Sequence, residues 1–166
     1  MTGSAAAVTD YVATHRERAV DFARDLVGLD TANPPGDTQA IVDHVAGLLA
    51  DWPVDVERHA VDPTKPNLVA TLPGERSQTL CLLGHLDTVP YDAAAWAHDP
   101  LGERVDDRLY GRGAADMKGP VGAMLAALEA YVETGTTPPV TLLFVLVSDE
   151  EISGDAGLPA VMAADR

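Results

Sequence analysis

Apolar residues between positions 9 and 29 return close to the helical period, at Val12, Ala19, Phe22, Ala23, Leu26 and Leu29. This predicts one amphipathic helix over 9–29 with Thr9 as its N-cap. Asn33-Pro34-Pro35-Gly36-Asp37 then breaks the chain, because two prolines and a glycine cannot continue a helix. A second helix is predicted over 38–50 (Ile41, Val42, Val45, Leu48, Leu49), ended by Pro53. Strand alternation follows at 54–57, and apolar strands at 67–72 and 79–83, with a hairpin-type turn over 73–77 between the last two. Residues 90–100 read as a loop, 104–110 as a small hairpin turning at Asp106-Asp107, and 117–133 as a helix. The most hydrophobic strand, 140–147, ends in Ser148-Asp149-Glu150-Glu151, and a last helix starts near Asp155. Helices alternating with apolar strands indicate an α/β layered fold with a largely parallel or mixed sheet.

The stretch LCLLGHLDTVP at 80–90 organises this pattern. Its apolar run is stopped by Gly84 and delivers His85 and Asp87 at a strand end, where α/β sheets present functional groups. His85 can offer a neutral imidazole nitrogen to a metal, and Asp87 points the same way in extended chain and can orient the ring. Alone, His-x-Asp is weak. It gains weight because Asp116 and the Asp149/Glu150/Glu151 group also fall at or near element ends. One histidine and several carboxylates, without cysteine, are the ligand set of a catalytic zinc site, or of manganese or cobalt. Two adjacent metals lower the pKa of a bridging water, and a general base then moves its proton to the leaving group. Glu150 and Glu151, being adjacent, face opposite ways in extended chain, so one can ligate while the other stands free.

The plain alternative is that such acids are solvated or meet helix dipoles. Composition gives it weight, since 26 acidic residues stand against 11 basic ones for a formal net charge of −15. That balance argues against nucleic acid and anionic membrane surfaces as partners, and suggests a salt-adapted surface. No apolar run approaches the ~20 residues of a membrane span, and residues 1–7 lack a basic and apolar leader, so a cytoplasmic protein is expected. The 166 residues are one domain's worth of chain. The lone cysteine, Cys81, reads as a small core hydrophobe of a buried strand. Gly111-Arg112-Gly113 is no phosphate loop, because Asp116 stands where a third glycine is needed and Lys118 has no Ser or Thr after it. His15, His44, His59 and His98 have no clustered partners and read as surface or packing residues.

Four motifs in order, NPPGD (33–37), GHLDTVP (84–90), GRGAADMKGP (111–120) and SDEEISG (148–154), carry a resemblance. Together they resemble the zinc-dependent peptidase and deacylase family of succinyl-diaminopimelate desuccinylase, acetylornithine deacetylase, aminoacylase and carboxypeptidase G. The resemblance implies an αβα sandwich of the zinc-exopeptidase type and two Zn2+ ions (Co2+ or Mn2+ as substitutes). It implies that His85 ligates one metal, Asp87 orients His85, Asp116 bridges both metals with a cis peptide to Met117, Glu150 is the general base and Glu151 ligates the other metal. The implied reaction is hydrolysis of an amide bond in an N-acyl amino acid or small peptide.

The same resemblance implies a further acidic ligand, a final histidine ligand and a lid and dimerisation domain, none of which has a counterpart in this sequence. Residues 1–166 are therefore expected to be the N-terminal part of a metallohydrolase catalytic domain, with weak metal binding and little turnover. A homodimer or a complementing C-terminal chain is the expected partner. The alternative function is a non-catalytic metal-binding or partner-binding domain; an intact Glu150 speaks against it.

Overall fold

Alternate residues of the segment Thr141–Val147 have different partners. Leu142, Phe144 and Leu146 pack with Leu68, Ala70 and Leu72 in one apolar cluster, while Val145 and Val147 pack with Val69 and Val161 in another. A strand buried on both faces produces this division. The computed structural model describes residues 4–164. Its helices are α1 (Ala5–Thr14), α2 (Glu17–Val27), α3 (Gln39–Leu49), α4 (Gly119–Glu133) and α5 (Leu158–Ala163). Its strands are β1 (Asp55–His59), β2 (Asn67–Leu72), β3 (Thr79–His85), β4 (Glu103–Val105), β5 (Arg108–Tyr110) and β6 (Thr141–Val147). The main sheet runs β1-β2-β6-β3, and β4 and β5 form the separate expected hairpin. Helices α2, α3 and α4 supply the buried cluster on one face and α5 the smaller one on the other, giving the expected α/β sandwich.

The sheet is mixed, with a smaller parallel share than expected. Only β3 and β6 are parallel; β1–β2 and β2–β6 are antiparallel. The turn over 73–77 does not make a hairpin, because β6 lies between β2 and β3. Its local chemistry is a turn signal, but the strand able to bury both faces takes the central place. Gly74 there passes so close to the chain of β6's approach that a Cβ would lie 2.1 Å from the Val140 carbonyl carbon.

Two further expectations are corrected. The helix predicted over 9–29 is two helices, broken at His15–Arg16. The Thr14 hydroxyl donates back to the Asp10 and Tyr11 carbonyls, and this competition helps end α1. Phe22, Ala23, Leu26 and Val27 of α2 are buried, whereas α1 buries nothing. Cys81 is exposed, as are Leu80 and Leu83. They lie on β3, an edge strand, and on the side carrying Cys81 and Leu83 the buried cluster among the described residues is Val69, Val145 and Val147 with Val161 of α5, away from β3. No helix among the described residues is long and apolar enough to cross a membrane. Part of the N-terminal stretch read for a leader, residues 1–3, lies outside the described residues.

The three-helix face carries most of the burial. Leu128 of α4 is fully buried there. Leu128→Ala is expected to destabilise the chain by about 2–5 kcal/mol, through lost apolar transfer and the cavity left behind. Urea unfolding measures this, and a shift under 1 kcal/mol (~a tenth of a domain's stability) would contradict this packing.

Candidate metal centre

Parallel pairing of β3 with β6 puts His85 beside Val147, so the two strands end together. The Leu86 N–H donates to the Val147 carbonyl at 2.8 Å, which holds the HLD loop against the SDEE turn. The third segment, 111–118, reaches the same edge through a close backbone approach. Gly113 has φ +82°, and a Cβ on it would lie 2.6 Å from the Thr88 methyl. The Lys118 N–H donates to the Gly113 carbonyl at 2.8 Å, and the buried Lys118 Nζ donates to the Leu29 carbonyl at 2.6 Å. Between them lies Asp116, whose peptide bond to Met117 is cis.

Three of the five site residues expected from the sequence converge on one point. His85, Asp116 and Glu151 each bring a ligand atom within 4.8 Å of the other two. His85 is buried, with Nε2 3.1 Å from Asp116 Oδ1. Asp116 is largely exposed and Glu151 half-buried. Glu150 is exposed and lies at the rim of this group, its Oε2 3.7 Å from His85 Nε2. Glu150 and Glu151 do not diverge by strand alternation, as extended chain would require. They occupy a turn after β6, entered through Asp149 at φ +65°.

Asp87 is the hub that shapes this turn. It is fully buried, and its carboxylate accepts the Glu150 and Glu151 N–H groups at 3.1 Å each. The Asn33 Nδ2 donates to it at 2.8 Å and to Asp149 Oδ1 at 3.1 Å. Its contact with His85 is split. Nδ1 lies 3.0 Å from the Asp87 main-chain oxygen and 3.6 Å from the carboxylate, so both orient the ring and leave Nε2 facing Asp116. Lys65 Nζ contacts the Asp149 carboxylate, closing the buried polar group.

Asn33 and Lys65 were not singled out as site residues from sequence. The available signals were slight: Asn33 opens NPPGD, and Lys65 and Lys118 are the chain's only lysines, both of which come to this edge. Asn33 is reached through long-range stitching. Its N–H donates to the Thr88 carbonyl at 2.8 Å, and the Thr88 N–H donates to the Thr31 carbonyl at 3.1 Å. Gly154 has a comparable structural reason, since a Cβ on it would lie 1.7 Å from Asp149 Oδ2.

The electrostatics follow from burial among carboxylates. Burial pulls the His85 pKa down, but hydrogen bonds to Asp87 and Asp116 outweigh it and raise it to about 9. Burial raises Asp87, yet His85, Asn33 and the two backbone N–H groups hold it below the usual carboxylate range. Burial raises Glu151. Burial lowers Lys118 to about 8, opposed by Asp30 and Asp87. A cation at this point must therefore displace the His85 proton, and then meets a donor set that is already oriented. One imidazole nitrogen and two carboxylates, without thiolate, suit zinc, manganese or cobalt, and Asp87 behind the ring is the outer support such a ligand needs.

Residues 81–166 match Peptidase family M20/M25/M40. The chain is 48% identical over 140 residues to a succinyl-diaminopimelate desuccinylase of Rhodospirillum centenum, covering 80% of this chain and 35% of that protein. It is 32% identical over 152 residues to an N-formyl-4-amino-5-aminomethyl-2-methylpyrimidine deformylase of Bacillus subtilis, covering 88% of this chain and 35% of that one. Human carnosine dipeptidase 1 superposes with a TM-score of 0.77 at 29% identity, over 90% of this chain and 35% of that structure. The chain thus spans about a third of the length of the relatives it matches.

Proposed function

The chain belongs to Peptidase family M20/M25/M40, and from that premise we propose that it supplies the first part of a metal-dependent amidohydrolase centre acting on N-acyl amino acids or small peptides. The observation that carries this reading is the meeting of His85, Asp116 and Glu151 within 4.8 Å, from three separate segments of the chain. His85 and Glu151 would each hold an ion and Asp116 would serve both, with zinc as the metal. When bound, such ions lower the pKa of water and polarise an amide carbonyl. Glu150 is the general base. Its exposed carboxylate, beside the ligand cluster with Oε2 3.7 Å from His85 Nε2, takes the proton of the attacking water and delivers it to the leaving nitrogen. Asp87 acts through others: it holds the His85 ring and positions the backbone of Glu150 and Glu151.

Relatives named for removing succinyl and formyl groups, and a dipeptidase, support amide hydrolysis as the reaction class. Residues 1–166 form the N-terminal part of the catalytic domain, completed by a C-terminal segment or a second chain. Cytoplasmic placement fits a metabolic deacylase.

The test is the metal-to-protein ratio after dialysis against dilute zinc. The chain is expected to hold zinc weakly, Asp116→Ala to hold measurably less, and Glu150→Gln to hold as much as the unaltered chain does. In any preparation with turnover on an N-acyl amino acid, Glu150→Gln is expected to lower kcat by about 10²–10⁴-fold. Equal zinc retention by Asp116→Ala, or loss of zinc in Glu150→Gln, would overturn these roles.

A further inference from the structure

A second polar feature lies beside the candidate centre and takes no part in it. Tyr91, Trp96, His98, Tyr110 and Arg112 line a shallow groove of about 560 Å³, in the size range of small-molecule sites. The groove adjoins the centre through two connections. Pro90 and Tyr91 follow Val89, whose N–H donates to Glu151 at 3.2 Å, and Arg112 precedes Gly113, which packs on Thr88. Its walls are built from aromatic rings held in place. Trp96 meets Tyr91 edge-on with centroids 6.4 Å apart, and His98 lies on Tyr110 with centroids 3.9 Å apart.

Arg112 is the anomaly in this groove. Its guanidinium sits 5.2 Å from the Trp96 ring centroid. Its Nε is buried with no hydrogen-bond acceptor among the described residues. Arg18, Arg24, Arg58 and Arg104 each reach a carboxylate; among the described residues Arg16, Arg76, Arg108 and Arg112 do not, and of these only Arg112 has a buried nitrogen left without an acceptor. Asp92 also lines the groove, but its carboxylate accepts the Ala94 N–H at 3.0 Å. A half-buried guanidinium that is short of acceptors favours an anion, and charge-assisted pairing with a carboxylate is its strongest match. The surrounding rings favour a flat, apolar carrier for that charge.

We propose that this groove is a subsite for a carboxylate borne on a flat, apolar stem, with Arg112 as its anion partner and Trp96 as the surface its stem lies on. That this carboxylate belongs to the substrate rests on the hydrolytic reading above, and makes Arg112 a specificity-determining residue.

Phenylacetate and its uncharged isostere phenylacetamide are the probes, titrated into the metal-free full chain and followed by the two tryptophan indole N–H signals of the NMR spectrum. Phenylacetate is expected to shift the Trp96 signal saturably and leave Trp52 unmoved, with phenylacetamide binding about tenfold or more weakly. Arg112→Gln should remove the preference between the probes, and Arg112→Lys should keep part of it, both with otherwise unchanged spectra. Equal affinity for the two probes, an unmoved Trp96 signal, or a preference that survives Arg112→Gln would overturn the subsite. The titration needs no metal, so its failure leaves the zinc result standing, and a failed zinc titration leaves this one standing.

Discussion

Asp87→Ala is expected to destabilise the metal-free chain by about 3–5 kcal/mol, although Asp87 is not placed among the metal ligands. The carboxylate is fully buried and accepts the Glu150 N–H, the Glu151 N–H and the Asn33 amide. Truncation strands these donors and leaves the raised His85 ring without its carboxylate. A buried donor deprived of its acceptor costs about 1–3 kcal/mol by itself. The ring and the turn that position the ligands also lose their support, so zinc affinity is expected to fall about 10–100-fold. Asp116→Ala should behave in the opposite way. Its side chain is 80% exposed, so losing its contact with His85 should lower metal-free stability by no more than about 1 kcal/mol while zinc is lost. Urea unfolding and zinc titration of both variants check the pair. Unchanged stability in Asp87→Ala would sink the hub.

The second large effect is a pH dependence of opposite sign for metal and for fold. In the metal-free chain His85 holds its proton up to about 9, against an ordinary value of 6.5. A metal must displace that proton, so zinc affinity is expected to rise about tenfold per pH unit between these values and then level. Metal-free stability runs the other way. A histidine whose folded pKa is raised stabilises the fold fully below 6.5 and loses that contribution as pH climbs through about 9. Lys118, lowered to about 8 by burial, begins to offset this above pH 8, because the unfolded chain then holds a proton the folded one has released. The falling limb is therefore clearest between 6.5 and 8. Thermal midpoints of the metal-free chain and zinc titrations across this range read both slopes. A zinc affinity independent of pH would place the metal away from His85.

Much of this was legible without coordinates because it depends on short-range pattern. The α/β alternation, the β4–β5 turn at Asp106-Asp107, and the delivery of His85 and Glu150-Glu151 by strand ends all follow from local periodicity and turn chemistry. The donor types alone pointed to a divalent metal. Where local pattern misled, long-range packing had decided the outcome. A continuous apolar stripe did not keep 9–29 in one helix, and the turn signal at 73–77 carried no information about which strand β2 would choose. Cys81 looked buried because its neighbours are apolar, but an edge strand buries only the face that something covers.

The sequence by itself determined which residues are of a type to ligate, because one histidine and two acids at element ends, His85, Asp116 and Glu151, are a matter of spacing and chemical type. Only the tertiary structure decided what holds them. Asn33 lies 54 residues from Asp87, and Lys65 lies 84 from Asp149, so no periodicity connects them. The different placement of Glu150, exposed, and Glu151, within the three-residue group, also came from the fold. It arises because Asp87 captures both of their N–H groups in a turn, not because an extended strand points them apart. Ligand identity is a local property of side chains, whereas their support is a property of buried donors and acceptors that must find one another across the fold.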